Sequence, residues 1–256
     1  MVSEEGIICG LNFCVINERF YKTRSKFDMR MVFVRHGHPD YNNDCLTDLG
    51  HCQAEAVANR LSGEKFHQIY SSTCGRALQT AEHVANLHNL KVEHCDFMRE
   101  LKWGTIDGEP IIQNGHPWYT AEEMVMKGQD TLRLNWENEE PFCRNKVVLH
   151  GRVALQGFDS LLSDLGYERD GNFYRVCREN KNTYAMVSHG GSSSAVISHI
   201  FNIPFPFFCQ MVRLDFTSIT TVSFCGELGN LVAPRFEILN DARHIKSVDS
   251  EILFGN

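Results

Sequence analysis

Met31-Val32-Phe33-Val34, followed at once by Arg35-His36-Gly37-His38-Pro39-Asp40, decides how this chain folds. The four apolar residues have the length and composition of a buried strand. A strand ending in Arg-His-Gly delivers a cation and an imidazole to its carboxyl end, where open α/β sheets carry their sites. The glycine lets the backbone come close to a ligand. The guanidinium offers a planar fork of donors that suits phosphoryl oxygens. A neutral imidazole beside it offers a nitrogen nucleophile. The tripeptide alone is a weak signal, and any function it points to needs parts from elsewhere in the chain.

Outward from this stretch, short apolar runs alternate with helical periodicity, the pattern of the α/β class. A helix is predicted from about Thr47, its N-cap, to about Ser62, with Ala54, Val57, Ala58 and Leu61 on one face and Gly63 as its stop. A strand at about 67–71 leads into a helix capped by Ser72 or Thr73 and running to about Leu87. Arg76 falls in its first turn, where free amides and the helix dipole favour an anion. After a short strand near 91–94, Glu100 lies in a loop with Gly104 and Gly108. Residues 109–146 are acidic and irregular, with a short helix expected near 120–135, and read as an insertion over the site. A helix at about 149–165 precedes a buried strand at 183–188 that ends in His189-Gly190-Gly191. A helix over 192–201 and strands near 217–225 and 232–239 close the pattern.

Residues 1–28 read as a loosely packed N-terminal extension, polar and basic over its second half. Because Met29 and Met31 stand directly at the first strand, a start codon assigned too far upstream is the other reading. The 256 residues are 43% hydrophobic and 22% charged, enough for a real core. A net charge of −7 argues against nucleic acid as the main partner, since phosphate-backbone binding needs a basic face. A local basic pocket remains compatible with a small phosphorylated substrate. Ten scattered cysteines without a CxxC pair read as reduced thiols of a cytoplasmic protein, and a zinc site would need closer ligand pairs. No apolar run is long enough to span a bilayer, so no membrane partner is expected. Oligomeric state stays open.

Further blocks repeat the chemistry of the first. They are Leu46-Thr47 with Gly50, Gln53 and Ala54; Ser72 with Arg76-Ala77 and Gln79-Thr80-Ala81-Glu82; Arg99-Glu100-Leu101 with Gly104 and Gly108; Ser188-His189-Gly190-Gly191; and Leu239-Asn240-Asp241 through His244. In this order, over about 30–245, the chain resembles the histidine phosphatase superfamily, also called phosphoglycerate mutase-like, and within it the phosphatase branch. The resemblance implies a three-layer α/β/α sandwich with a mostly parallel central sheet, formed by residues 29–256. It implies that His36 attacks phosphorus and forms a phosphohistidine, and that Arg35, Arg76 and His189 hold the phosphoryl oxygens. Asn42 and Gly190 would add phosphate contacts. Glu100 would protonate the leaving oxygen and then deprotonate water. Neither a metal nor a cofactor is implied. His38-Pro39 departs from the Glu-Thr of many members, and Pro39 offers no backbone N–H.

Three competitors remain. A mutase would return the phosphoryl group to a substrate, but the adjacent arginines that mutases of the family carry after the acid Glu are missing here. A metal-dependent hydrolase could use His36, His38 and Asp40 as an HxHxD string. A binding protein could keep the pocket without turnover. Trp103, Trp118 and Trp136 are expected in the core, and Arg133, Arg144 and Arg152 in solvent, so none is assigned to the site. Cys74 is expected to be buried and inert.

Overall fold

Val32 and Val34 point to one face of strand β1 (Asp28–Arg35), Met31 and Phe33 to the other, and all four are buried. Such a run, apolar on both sides, belongs at the centre of a covered sheet. The structure, a computed structural model, describes residues 28–245, so the extension expected at 1–28 lies outside the described residues except for Asp28.

In chain order, β1 is followed by the two-residue strands β2 (Pro39–Asp40) and β3 (Cys45–Leu46), helix α1 (Asp48–Arg60), β4 (Phe66–Ser71), α2 (Gly75–His88) and β5 (Val92–His94). Then come α3 (Pro117–Met126), α4 (Lys146–Asp164), β6 (Tyr167–Asp170), β7 (Phe173–Val176), β8 (Thr183–Ser188), α5 (Gly190–Ile200), α6 (Phe205–Met211), β9 (Ile219–Cys225), β10 (Leu231–Val232) and β11 (Arg235–Asp241). The central sheet has the order β11-β9-β1-β8-β4-β5. Strands β1, β8, β4 and β5 are parallel, and β9 runs antiparallel to both of its neighbours.

Helices cover both faces. Val57 and Ala58 of α1 and Ala81 and Val84 of α2 pack on Val32 and Val34. Phe158 and Leu162 of α4, with Val196 and Ile197 of α5, pack on Met31 and Phe33. Full burial of each large apolar side chain contributes about 1.5–3 kcal/mol. The result is the expected three-layer sandwich.

Register places the chemistry. Arg35 lies opposite Ser188, and Ser71 opposite Val187, so the chain leaves β1, β8 and β4 at one level. Residues 36, 189 and 72 therefore emerge side by side.

Some elements differ from expectation. The β6–β7 hairpin, extended by β10 into a small sheet, is built from four-residue strands too short to show a period. Helix α6 is apolar nearly all round and starts at a proline, which hid it as a loop. Helix α2 is capped neither by Ser72 nor by Thr73. Its N-cap is Cys74, and the Gly75 N–H donates to Asp44 Oδ2 at 2.8 Å instead. Between β5 and α4, Asn145 does two jobs. Its Oδ1 accepts from Val147 N at 3.1 Å and caps α4, while its Nδ2 donates to the Gly115 carbonyl at 2.8 Å. Among the described residues no helix is long and apolar enough to cross a membrane.

Candidate active site

His36 is buried at the end of β1, and its Nδ1 lies 2.7 Å from the Gly37 carbonyl. A carbonyl only accepts, so Nδ1 carries the proton and Nε2 keeps the lone pair. Burial first, then the Arg35 and Arg76 guanidiniums, push the imidazole well below its ordinary range, so the ring is neutral. The His189 ring stands 5.1 Å from it at 62°. Arg76 is buried and directs Nε to His36 Nε2 at 3.4 Å. Arg35 reaches the Leu214 carbonyl through Nη1 at 2.6 Å and lies 4.0 Å over the Phe216 ring. The two imidazoles and two guanidiniums thus share one hollow.

His189 bonds Ser72 Oγ through Nε2 at 2.8 Å, and its buried Nδ1 has no partner. Ser72 Oγ already accepts from Cys74 N at 3.3 Å, so its own proton is free to go to His189 Nε2. That leaves Nδ1–H directed away from Ser72. Burial and the neighbouring His36, Arg76 and Arg35 hold His189 well below the ordinary range. A protonated His189 is therefore disfavoured before an anion arrives.

The glycine after His36 serves packing before any ligand. A Cβ on Gly37 would lie 2.6 Å from the Gly50 carbonyl, and one on Gly50 would lie 2.1 Å from that of His38. The loop and the first turn of α1 cross backbone on backbone. Side chains of the same sequence blocks hold the crossing: Gly37 N donates to Thr80 Oγ1 at 3.1 Å, His38 N to Gln53 Oε1 at 2.7 Å and Leu46 N to Gln79 Oε1 at 2.6 Å.

Glu100 accepts at Oε1 from Leu101 N at 2.9 Å and Ser192 N at 3.2 Å. Desolvation outweighs these amides and the two guanidiniums, and its carboxyl is raised above the usual carboxylate range. Gly191 makes room for it: a Cβ there would sit 2.5 Å from Glu100 Oε1. At Gly190 the nearest contacts, 3.6 Å to Arg35 Nε and 3.7 Å to Trp118, are ordinary. Gly191→Ala should therefore displace the flexible end of Glu100, lowering alkyl phosphatase activity at least about 10-fold while Tm stays within a few degrees. Gly190→Ala should cost far less. Equal activities for the two variants would show that Glu100 does not need this space.

Other expectations fare differently. Asn42 is exposed, its backbone N–H donates to Asp40 Oδ1 at 2.9 Å, and no described bond joins it to the cluster. Asp40 also takes Asn43 Nδ2 on Oδ2 at 2.8 Å, and His38 Nδ1 meets Thr47 Oγ1 at 2.9 Å, so the HxHxD string does not converge as a ligand set. Among the described residues no group of three or more His, Cys, Asp or Glu side chains is placed to hold a metal ion. Cys74 is buried, and Trp136 packs on Phe142 and Phe205. Arg133, Arg144 and Arg152 pair with Glu139, Glu140 and Glu137.

Trp103 and Trp118 line a cavity of about 380 Å³ beside Glu100 and Arg35; Trp118 also packs on the core as expected, whereas Trp103 is exposed. Sequence reading also missed Asp44 and Phe216. Asp44 ion-pairs with Arg76 through Oδ1 and so orients it. Phe216 is the floor under Arg35, His36 and His38. Neither residue has a periodic or motif signal.

Residues 31–136 match the family model of the histidine phosphatase superfamily (branch 1). Over these residues the chain is similar to that superfamily. Among relatives, the putative phosphoserine phosphatase 2 of Hydrogenobacter thermophilus is 23% identical over 79% of this chain and 93% of its own length. Fructose-2,6-bisphosphatase TIGAR B of Danio rerio is 34% identical, over 31% of this chain and 37% of that protein. A crystal structure of phosphoserine phosphatase from Entamoeba histolytica, in complex with 3-phosphoglyceric acid, superposes with a TM-score of 0.57 at 26% identity. It covers 85% of this chain and 99% of that one. The mycobacterial glucosyl-3-phosphoglycerate phosphatase shares the fold, with a TM-score of 0.57 at 21% identity over 83% of this chain and 99% of its own.

Proposed function

We propose that this protein is a phosphomonoester hydrolase that works through a phosphohistidine on a small phosphorylated metabolite. The observation that carries the reading is the neutral His36, with Nδ1–H tied to a carbonyl and Nε2 directed into a hollow shared with Arg35, Arg76 and His189. Phosphoryl transfer needs positioning and charge more than covalent help. Arg35 and Arg76 hold the equatorial oxygens, His189 Nδ1–H donates a further hydrogen bond, and the amino terminus of α5 at Gly190 adds backbone N–H groups. Asn42 joins if the loop closes on substrate.

In the first step a bond forms from His36 Nε2 to phosphorus and the bond from phosphorus to the leaving oxygen breaks. Glu100, whose protonated form is favoured by desolvation, gives that oxygen its proton. Water then attacks the phosphohistidine, Glu100 takes the water's proton, and phosphate leaves with His36 restored. Hydrolysis is favoured over return to a second substrate because the arginines of residues 109–146 are already paired with acids. The protein is read as acting without metal, cofactor or nucleic acid.

Purified protein should release phosphate from p-nitrophenyl phosphate with undiminished rate after exhaustive treatment with EDTA. Chelator-sensitive turnover would overturn the reading in favour of a metal-dependent hydrolase. Stoichiometric transfer to an added phosphoglycerate without phosphate release would overturn it in favour of a mutase.

A further inference from the structure

Beside the cluster lies a cavity whose lining includes Arg35, Glu100 and Gly190. The leaving group lies against these residues if the proposed function is right. The cavity's volume of about 380 Å³ falls in the range of small-ligand sites. The wall is aromatic. His116 stacks on Tyr119 with centroids 4.4 Å apart at 27°, and meets Trp103 edge-on at 4.9 Å and 69°. Trp118 stands 5.7 Å from the same imidazole. Trp103 is 40% exposed and Tyr119 37%, so these rings keep open faces instead of filling the core. A wall of offset and edge-on rings holds a flat π-system better than a saturated chain of equal area.

Arg213, an exposed residue, also lines the cavity. Its guanidinium lies 5.7 Å from the Tyr119 ring and has no ion pair among the described residues. The segment that carries it is fixed by the site itself. The Val212 carbonyl accepts from Trp118 Nε1 at 3.3 Å, and the Leu214 carbonyl accepts from Arg35 at 2.6 Å. Asn240 Nδ2 donates to the carbonyl of Arg213 at 3.0 Å. One short stretch of backbone therefore sets the spacing between the phosphoryl-binding guanidinium, the aromatic wall and a second, uncommitted cation. Arg133, Arg144 and Arg152 are each satisfied by acids. A lone cation on a cavity wall selects for an anion.

We infer that the substrate is a phosphomonoester of a planar, aromatic alcohol that bears a carboxylate on the side away from the phosphate. The ring lies against Trp103, Trp118 and Tyr119, and the carboxylate meets Arg213. This deepens the proposed function and rests on it for the position of the phosphate.

Phosphonates test the inference without turnover, because their carbon–phosphorus bond is not cleaved and leaving-group reactivity drops out. Binding of benzylphosphonate, cyclohexylmethylphosphonate and 4-(carboxymethyl)benzylphosphonate is measured by calorimetry on the full chain. Benzylphosphonate should bind about 10-fold more tightly than its saturated analogue, and the added carboxylate should contribute about another 10-fold. In Arg213→Gln the gain from the carboxylate should vanish. In Trp103→Ala the preference for the flat ring should shrink toward unity. Equal affinities for the flat and saturated rings in the unaltered protein, or a carboxylate gain that survives Arg213→Gln, would overturn the inference. Failure to hydrolyse p-nitrophenyl phosphate is a separate result, which overturns the catalytic reading while these ratios still judge the cavity.

Discussion

His36→Ala abolishes phosphatase turnover, with an expected loss of at least about 10⁴-fold in kcat. The cause is specific. Phosphorus needs a neutral nitrogen in line, and the His36 ring is held neutral and aimed by the Gly37 carbonyl. The variant retains Arg35, Arg76 and His189, so it should still bind inorganic phosphate. It should not acquire label from a ³²P-phosphomonoester. Label on the unaltered enzyme should survive alkali and be lost in acid, as a P–N bond requires. Turnover in His36→Ala within 10-fold of the unaltered rate would remove the covalent route altogether.

Glu100→Gln should separate substrates by their leaving groups. Alkyl phosphates lose about 100- to 10,000-fold, the usual worth of general-acid help. The p-nitrophenolate of p-nitrophenyl phosphate departs without a proton and should lose far less in the first step. Equal losses on both would show that Glu100 is not the acid. The same variant has a signature in stability. In the folded chain the Glu100 carboxyl is raised above its ordinary value of 4.5, chiefly by desolvation. Above that pH the unfolded chain gives up the proton first, so the folded state binds more protons and stability falls as pH rises. Gln carries no such cost. Relative to the unaltered protein, Glu100→Gln should therefore gain Tm progressively from about pH 4.5 upward. The depressed imidazoles of His36 and His189 act with the opposite sign, lowering stability as pH falls below 6.5, and they do so in both proteins. Parallel Tm curves for the two proteins between pH 4 and 8 would show that the carboxyl is not shifted.

Much of the sheet and the residues of the cluster were legible in the sequence. Met31 to Val34 read as a buried strand, and two strands read as ending in His-Gly; that they pair side by side came from the structure. Gln53, Gln79 and Thr80 were visible as members of blocks, but not as the groups that hold the loop after His36. Asp44 was invisible because its partner, Arg76, lies across two strands and a helix in sequence. Trp103 was misplaced into the core because a tryptophan's identity carries no sign of whether its open face meets protein or cavity. Arg213 lacked any marker at all. Its significance comes from its place on the cavity wall, with no ion pair among the described residues.

Asn145 carries a consequence for how such an enzyme can diversify. Through one carboxamide it fastens the Gly115 turn, just ahead of His116 and Trp118, to the start of a core helix. The nucleophile and its guanidiniums are anchored elsewhere, on strand ends and on Gln53, Gln79 and Thr80. The backbone of residues 212–214, bonded to both Trp118 and Arg35, still joins the two regions. Mutation between residues 103 and 119 that keeps the Asn145 clasp and the Trp118 contact can therefore redraw the aromatic wall without disturbing the anchors of His36.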